Sequence, residues 1–313
     1  MKKAIFALFL QLFVVKSYAA WPPLPGPVKG DILVHDPAMI KKGNTYYVFG
    51  THNDVAIAKS TDRVNFKSAG SAVPYMGSTD VWAPDISQHG SQYWLYYSTS
   101  TFGSQESCIS MAVSNTLEAG SFVNKGKVIC SKKGDPYNAI DPNYIQDASG
   151  KHWLSFGSFY GGIYIVQLDS TGKVPSGAKP TLIARRSSPD AMEGPFIYLH
   201  NNKYYLFTSR GNCCVTSSNV RQKSSEPYHI SACRASKITG PYVDAGGKAC
   251  TNGGGLEILK GQSGIWGVGG QGIFRDGDKD VLYYHYYDSK DNYSAKLGIN
   301  YLSWDKNDWP IAY

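Results

Sequence analysis

Three carboxylates stand at matching places along this chain: Asp36 in His35-Asp36-Pro37, Asp141 in Ile140-Asp141-Pro142, and Glu193 in Glu193-Gly194-Pro195. Each sits next to or one residue before a proline step, ahead of a turn and an aromatic run. Hydrolysis of a glycosidic bond calls for two carboxyl groups with opposite duties. One stays protonated near neutral pH to assist the leaving oxygen, and the other stays ionised to activate water. A third carboxylate beside the acid raises its pKa by like-charge repulsion. Three acids brought to one place would supply those parts. A single Asp-Pro step is an ordinary opening of a strand or turn, so the weight rests on the three being in register. A fourth acid, Asp85 in Trp82-Ala83-Pro84-Asp85, falls on the far side of its proline.

Sugar rings offer C–H faces to aromatic side chains, and hydroxyls that need polar partners. Trp82, Phe102 and Phe159 stand near strand ends and are the candidates for such stacking; most other aromatics are expected in the core. A lone histidine, His285 in Tyr283-Tyr284-His285-Tyr286-Tyr287, is expected on the innermost strand of its repeat. Facing a channel there, it could hold an ion, directly or through water, or a sugar hydroxyl. No Ser-His-Asp order with a nucleophile elbow occurs. Gly267-Val268-Gly269-Gly270-Gln271-Gly272 has the G-x-G-x-x-G form, but a turn and a strand follow it rather than a helix, so no dinucleotide site is expected.

The elements that must position these residues repeat. An acid or glycine leader, a turn and an aromatic strand occur as Asp36 to Phe49, Asp85 to Tyr97, Asp141 to Phe156, Glu193 to Phe207 and Gly270 to His285. Five copies about 50 to 80 residues apart are the mark of a radial repeat. Short β-prone runs broken by Gly, Asn, Asp and Ser clusters, with 33 glycines and 23 tyrosines, indicate an all-β chain. Five repeats of about four strands predict a five-bladed β-propeller, with each leading acid at one mouth of a central channel.

The chain's 313 residues allow a sizeable core. Lys2-Lys3, the apolar run Ala4 to Val15 and the small residues at Ala19-Ala20 read as a secretory leader, residues 1–20, ahead of one domain at residues 21–313. Removing the leader lowers the formal charge from +7 to +4. No other stretch is apolar enough to span a membrane, and the remaining positives form no stripe, so neither a membrane nor a nucleic acid is an expected partner. Cysteines 108, 130, 213, 214, 233 and 250 fit an oxidising compartment. Cys108 with Cys130 and Cys233 with Cys250 are candidate strand-bridging pairs, leaving Cys213 and Cys214 to each other or free.

Taken in order, His35-Asp36-Pro37, Trp82-Ala83-Pro84-Asp85, Asn138-Ala139-Ile140-Asp141-Pro142, Gly157-Ser158-Phe159, Glu193-Gly194-Pro195-Phe196 and Tyr284-His285 resemble glycoside hydrolase family 43, its arabinan-cleaving members above all. The resemblance spans the mature chain, with Cys213-Cys214, Thr239-Gly240-Pro241-Tyr242 and the terminal Trp309 to Tyr313 included. It implies a five-bladed propeller that hydrolyses internal α-1,5 bonds of arabinan with inversion; with the leader, the expectation is a secreted monomer whose partner is linear arabinan. Asp36 matches the general base, Glu193 the general acid, and Asp141 the residue that tunes the acid. Gly103, Asn138, Ala139, Ile140, Ser158, Phe159 and Tyr160 match segments that touch the sugar chain. His285 matches a histidine beside a channel ion, calcium in relatives, with no organic cofactor. The chain departs at Val268-Gly269-Gly270, where many bacterial members carry Pro-Gly-His. The alternatives are an exo-acting arabinofuranosidase or β-xylosidase on the same fold, and a carbohydrate-binding propeller without catalysis.

Overall fold

A computed structural model describes residues 21–73, 81–186, 191–214 and 227–313; the expected leader lies outside them. Five separate sheets account for the strands, four with four strands and the first with five. The blades start on strands Ala38–Lys42, Val81–His89, Asn143–Gln146, Met192–His200 and Ile265–Asp276. Each of these strands touches the corresponding strand of the next blade, and Ile265–Asp276 touches Ala38–Lys42, so the ring closes. Apart from these strands, the only helices among the described residues are two short 3-10 turns. The five-bladed propeller expected from the repeats is the fold observed.

The aromatic runs form the second strand of each blade. Thr45–Gly50, Gln92–Thr99, Lys203–Arg210 and Lys279–Asp288 are buried over most of their length, because a neighbouring blade covers each face. The core is accordingly divided into five apolar clusters, one between each neighbouring pair of blades. Tyr47 and Phe49 meet Leu95 and Tyr97 across the first junction, and Val281 and Tyr283 meet Met39 and Val48 across the last. Each fully buried large side chain contributes roughly 1.5–3 kcal/mol relative to exposure.

One backbone feature recurs at the head of the inner strands. Asp36, Ala83, Asp141, Gly194 and Gly270 all have left-handed backbones, with φ of 43°, 43°, 57°, 58° and 57°. A proline follows in the first four blades. In three blades this point coincides with a register shift: Trp82 to Asp85, Glu193 to Phe196 and Gly269 to Gly272. Such bulges turn a side chain out of the sheet and re-aim it. They also explain Asp85. Two residues beyond the turned position, it is 6% exposed and points into the next blade, where its carboxylate accepts from the Tyr144 amide at 2.8 Å. Asn143 holds the same place in the third blade and accepts from the Ile197 amide at 2.8 Å. Asp85 is therefore an inter-blade latch rather than a fourth site acid.

His285 departs from its expected position. It lies on the second strand of blade five, Lys279–Asp288; the innermost strand is Ile265–Asp276. The reason is the glycine run at 267–272. A Cβ at Gly270 would stand 2.7 Å from both Asp36 Oδ1 and His285 Nδ1, so only the missing side chain lets the imidazole reach past the inner strand. Disulfides join Cys108 to Cys130, Cys233 to Cys250, and Cys213 to its neighbour Cys214.

Candidate active site

Asp36, Asp141 and Glu193 line one cleft of about 1100 Å³ at a mouth of the propeller axis. The turned backbones at Asp36 and Asp141 swing both carboxylates toward it. Glu193 stands one residue ahead of the turned Gly194, and reaches the same space from the fourth blade.

Asp36 is held by a dense set of partners. Its Oδ2 meets His35 Nδ1 at 2.7 Å and accepts from the Thr51 hydroxyl at 2.7 Å. Thr51 is itself oriented by the Ala83 amide, which donates to its oxygen at 2.8 Å. The Asp36 amide donates to His285 Nδ1 at 3.1 Å, and Oδ1 lies 3.4 Å from that nitrogen. Burial raises the Asp36 carboxyl, but the charge on His35, the close approach of His285 and the hydrogen bond from His35 outweigh it. The net result lies well below the usual carboxyl range.

Glu193 and Asp141 go the other way. Burial lifts Glu193 above its ordinary value, aided by the Asp36 charge and opposed by hydrogen bonds from Ser158 and Tyr228. Those hydroxyls stand 2.7 Å from Oε2 and 2.7 Å from Oε1. Burial, then repulsion from Glu193 and Asp36, pushes Asp141 well above its ordinary value. The Asp141 amide donates to Ser98 Oγ at 3.0 Å, and its Oδ2 accepts from the Gly194 amide at 3.0 Å, so the third acid is tied to the backbone beside Glu193. One carboxyl favours ionisation and two resist it within one cleft. That opposition marks a base and an acid.

The expected sugar-contacting residues mostly gather here. Trp82, Gly103, Asn138, Ile140, Ser158, Phe159 and Tyr160 line the cleft, as does Phe102, which is 83% exposed. The Tyr160 hydroxyl donates to the Gly103 carbonyl at 2.8 Å, tying two edges of the cleft together. Ala139 does not join them: it is fully buried and outside the lining, with its amide donating to Ser131 Oγ at 2.9 Å. Ser158 spends its hydroxyl on Glu193. His35, Thr51 and Tyr228 are partners of the acids that sequence reasoning did not assign, and Tyr287 is the partner of His35. His35 was in view beside Asp36, and Tyr287 shares a strand face with His285 by the period of two; Thr51 and Tyr228 carried no signal.

His285 is fully buried, and its Nε2 has no hydrogen-bond partner among the described residues. Burial and the nearby His35 charge lower it to about 4, so the ring is neutral. Because Nδ1 accepts from the Asp36 amide, Nε2 of the neutral ring carries the hydrogen and is open as a donor to a water, including one in the shell of an ion. Of the acids, Asp36 alone lies within ligand distance of His285 among the described residues, and its Oδ2 already has two partners. Calcium takes six to eight oxygen ligands. The donor set suits a hydrated ion held at one protein atom, not a cage built by the chain.

The family model described as Glycosyl hydrolases family 43 matches residues 27–310. The chain belongs to glycoside hydrolase family 43. A family member from Aspergillus flavus, named probable arabinan endo-1,5-alpha-L-arabinosidase A, is 37% identical over 322 residues, covering 99% of each chain. Among solved family 43 structures, the endo-arabinanase of Bacillus licheniformis is 40% identical with a TM-score of 0.83, over 91% of this chain and 99% of that one. An exo-1,5-alpha-L-arabinanase from a bovine ruminal metagenomic library is 35% identical with a TM-score of 0.82, over 90% and 96%. The family's chemistry makes this chain a glycosidase.

Proposed function

We propose that this family 43 chain is a secreted endo-1,5-α-L-arabinanase that hydrolyses linear arabinan, the side chain of pectin, with inversion. The observation that carries the chemistry is the opposed environments of the acids. Asp36 is kept ionised, while Glu193 and Asp141 are pushed toward the protonated form in the same cleft. The names of the relatives support the sugar, and the three disulfides support export.

In this reading a water lies between Asp36 and the anomeric carbon. Asp36 takes one proton from it as the water oxygen bonds to that carbon. The bond to the leaving sugar's O5 breaks on the opposite face, and Glu193 gives its proton to that oxygen. The new hemiacetal has the opposite anomeric configuration, as single displacement requires. Asp141 repels negative charge on Glu193 and holds the Gly194 amide. Trp82, Phe159 and Tyr160 offer faces to the pentose rings, and Asn138, Ile140 and Gly103 shape the floor. A hydrated calcium beside His285, contacting Nε2–H through its water shell, belongs to the same proposal; bound there, it would supply positive charge on the axis beside Asp36. The enzyme works as a monomer.

Digestion of linear α-1,5-arabinan with products resolved by size at early times tests this reading. A ladder of short oligomers is the expected result. Monosaccharide alone from the start would move the chain to exo action, the mode for which the ruminal neighbour is named. No cleavage would overturn the substrate.

A further inference from the structure

We infer that His35, oriented by Tyr287, is the positioning residue that aims the Asp36 carboxylate at the attacking water. The inference rests on Asp36 being the base, and goes beyond it.

The two oxygens of Asp36 are unequal. Oδ2 is taken twice, by His35 Nδ1 at 2.7 Å and by the Thr51 hydroxyl at 2.7 Å. That leaves Oδ1 as the atom able to accept a proton from water. A carboxylate with one oxygen pinned by two donors cannot rotate, so its open lone pair keeps one direction. His35 faces Asp36 with Nδ1, so Nδ1 carries the hydrogen it donates to the carboxylate. Nε2 stands 2.7 Å from the Tyr287 hydroxyl, accepting from it in the neutral ring and donating to it in the protonated one. In either state Nδ1 donates to Asp36, and the ring is held between Tyr287 and the carboxylate.

The ring is fixed on its other sides as well. It stacks on His285 with centroids 4.0 Å apart and planes 18° from parallel. The sulfurs of Cys213 and Cys214 stand 3.7 and 3.8 Å from Nε2. Residues 35 and 287 belong to the first and last blades, so ring closure of the propeller is what brings this support to the base. A ring that only packed would not need both nitrogens engaged, and a ring that only bound sugar would not spend Nδ1 on the carboxylate.

The test compares His35→Ala, His35→Asn and Tyr287→Phe with Asp36→Ala and Glu193→Ala. Two substrates are used: a linear arabino-oligosaccharide, and one carrying a nitrophenolate leaving group that needs no proton from Glu193. His35→Ala is expected to lower kcat by about 10²-fold on both substrates alike, the scale of a misplacement near 1 Å, with KM little changed. His35→Asn, whose amide nitrogen can replace Nδ1, is expected to recover at least about tenfold of that loss. Tyr287→Phe keeps the ring's volume and is expected to lose kcat by a smaller factor, again without a change in KM. Glu193→Ala should be far less impaired on the nitrophenolate substrate, which separates loss of the acid from loss of the base.

A raised KM with kcat intact in His35→Ala would overturn the inference, as would His35→Asn no better than alanine, or Tyr287→Phe at the wild-type kcat. Should His35→Ala fail to fold, the asparagine and phenylalanine variants decide. Near-normal turnover in Asp36→Ala would instead refute the underlying base assignment, whatever His35 does.

Discussion

The residues that matter act through opposed environments rather than through their identities alone. Asp36 lies well below the usual carboxyl range and the Glu193–Asp141 pair above it. Turnover needs Asp36 ionised and Glu193 protonated. kcat/KM should therefore hold into acid and fall as pH rises through the raised pair. Glu193 and Asp141 titrate as an interacting pair, and Asp141→Asn leaves that pair with one ionisable group, so the alkaline limb should move to lower pH. A limb that stays put in the pH profile of this variant would show that Asp141 does not tune the acid. Convergence of the acids was legible because each leads a repeat, and a repeat implies a common axis. Their partners were not. Thr51 and Tyr228 meet the acids of their own blades from the ends of other strands, and Tyr287 reaches His35 from the last blade; hydrogen bonds between separate strand ends leave no periodicity to read. Ala139 was drawn in by its neighbours, yet the turn at Asp141 buries its side chain away from the cleft.

Among the elements, the innermost strand of blade five is the least legible and the most specialised. Ile265–Asp276 lacks the apolar alternation of a strand, which is why His285 was expected in its place. Its glycines make room for Asp36 and His285. Gly270→Ala would place a methyl 2.7 Å from both Asp36 Oδ1 and His285 Nδ1, on a backbone with φ of 57°. Turnover should drop by about 10²-fold, and the strain should also lower the melting temperature by roughly 2–4 °C or more, both measurable by kinetics and calorimetry. A second element prediction concerns His89, which stacks on Trp94 at 3.6 Å and meets Tyr144 of the next blade edge-on at 4.6 Å. Burial, then the charge of His152, lowers it to about 4 from 6.5. A depressed histidine contributes stability above its unfolded pKa and loses it as pH falls toward the folded one, here between 6.5 and 4. His89→Phe keeps a stacked ring and removes the titration. Between pH 7.5 and 4 the variant should lose less stability than the wild type, by about 1 kcal/mol in urea unfolding once solvent screening of this half-exposed ring is counted. Equal losses would contradict this.

At the scale of the whole molecule, the sequence repeats announced five blades but not how the ring is fastened. The fastening is the Pro- and Gly-rich lead-in. Gly26, Ile32 and Val34 hydrogen-bond along Ser294–Trp304, the third strand of the last blade, while Lys29–Gly30 adds a parallel fifth strand to the first. Nothing in residues 21–30 reads as a strand, because prolines cannot donate to a ladder, so this role was hidden. Deleting residues 21–33 removes several backbone bonds at about 1 kcal/mol each, and should lower the melting temperature by roughly 5 °C or more. It should also weaken activity, because His35 and Asp36 follow directly. An unchanged melting curve would show that the ring closes without this strap.

The most direct measurement is proton NMR of the first-formed reducing end during hydrolysis of a linear α-1,5-arabino-oligosaccharide. A β-anomer appearing first, then mutarotating, is the result expected of Asp36 and Glu193 acting in one displacement. An α-anomer appearing first would mean retention through a covalent intermediate, and would contradict the roles given to both carboxyls.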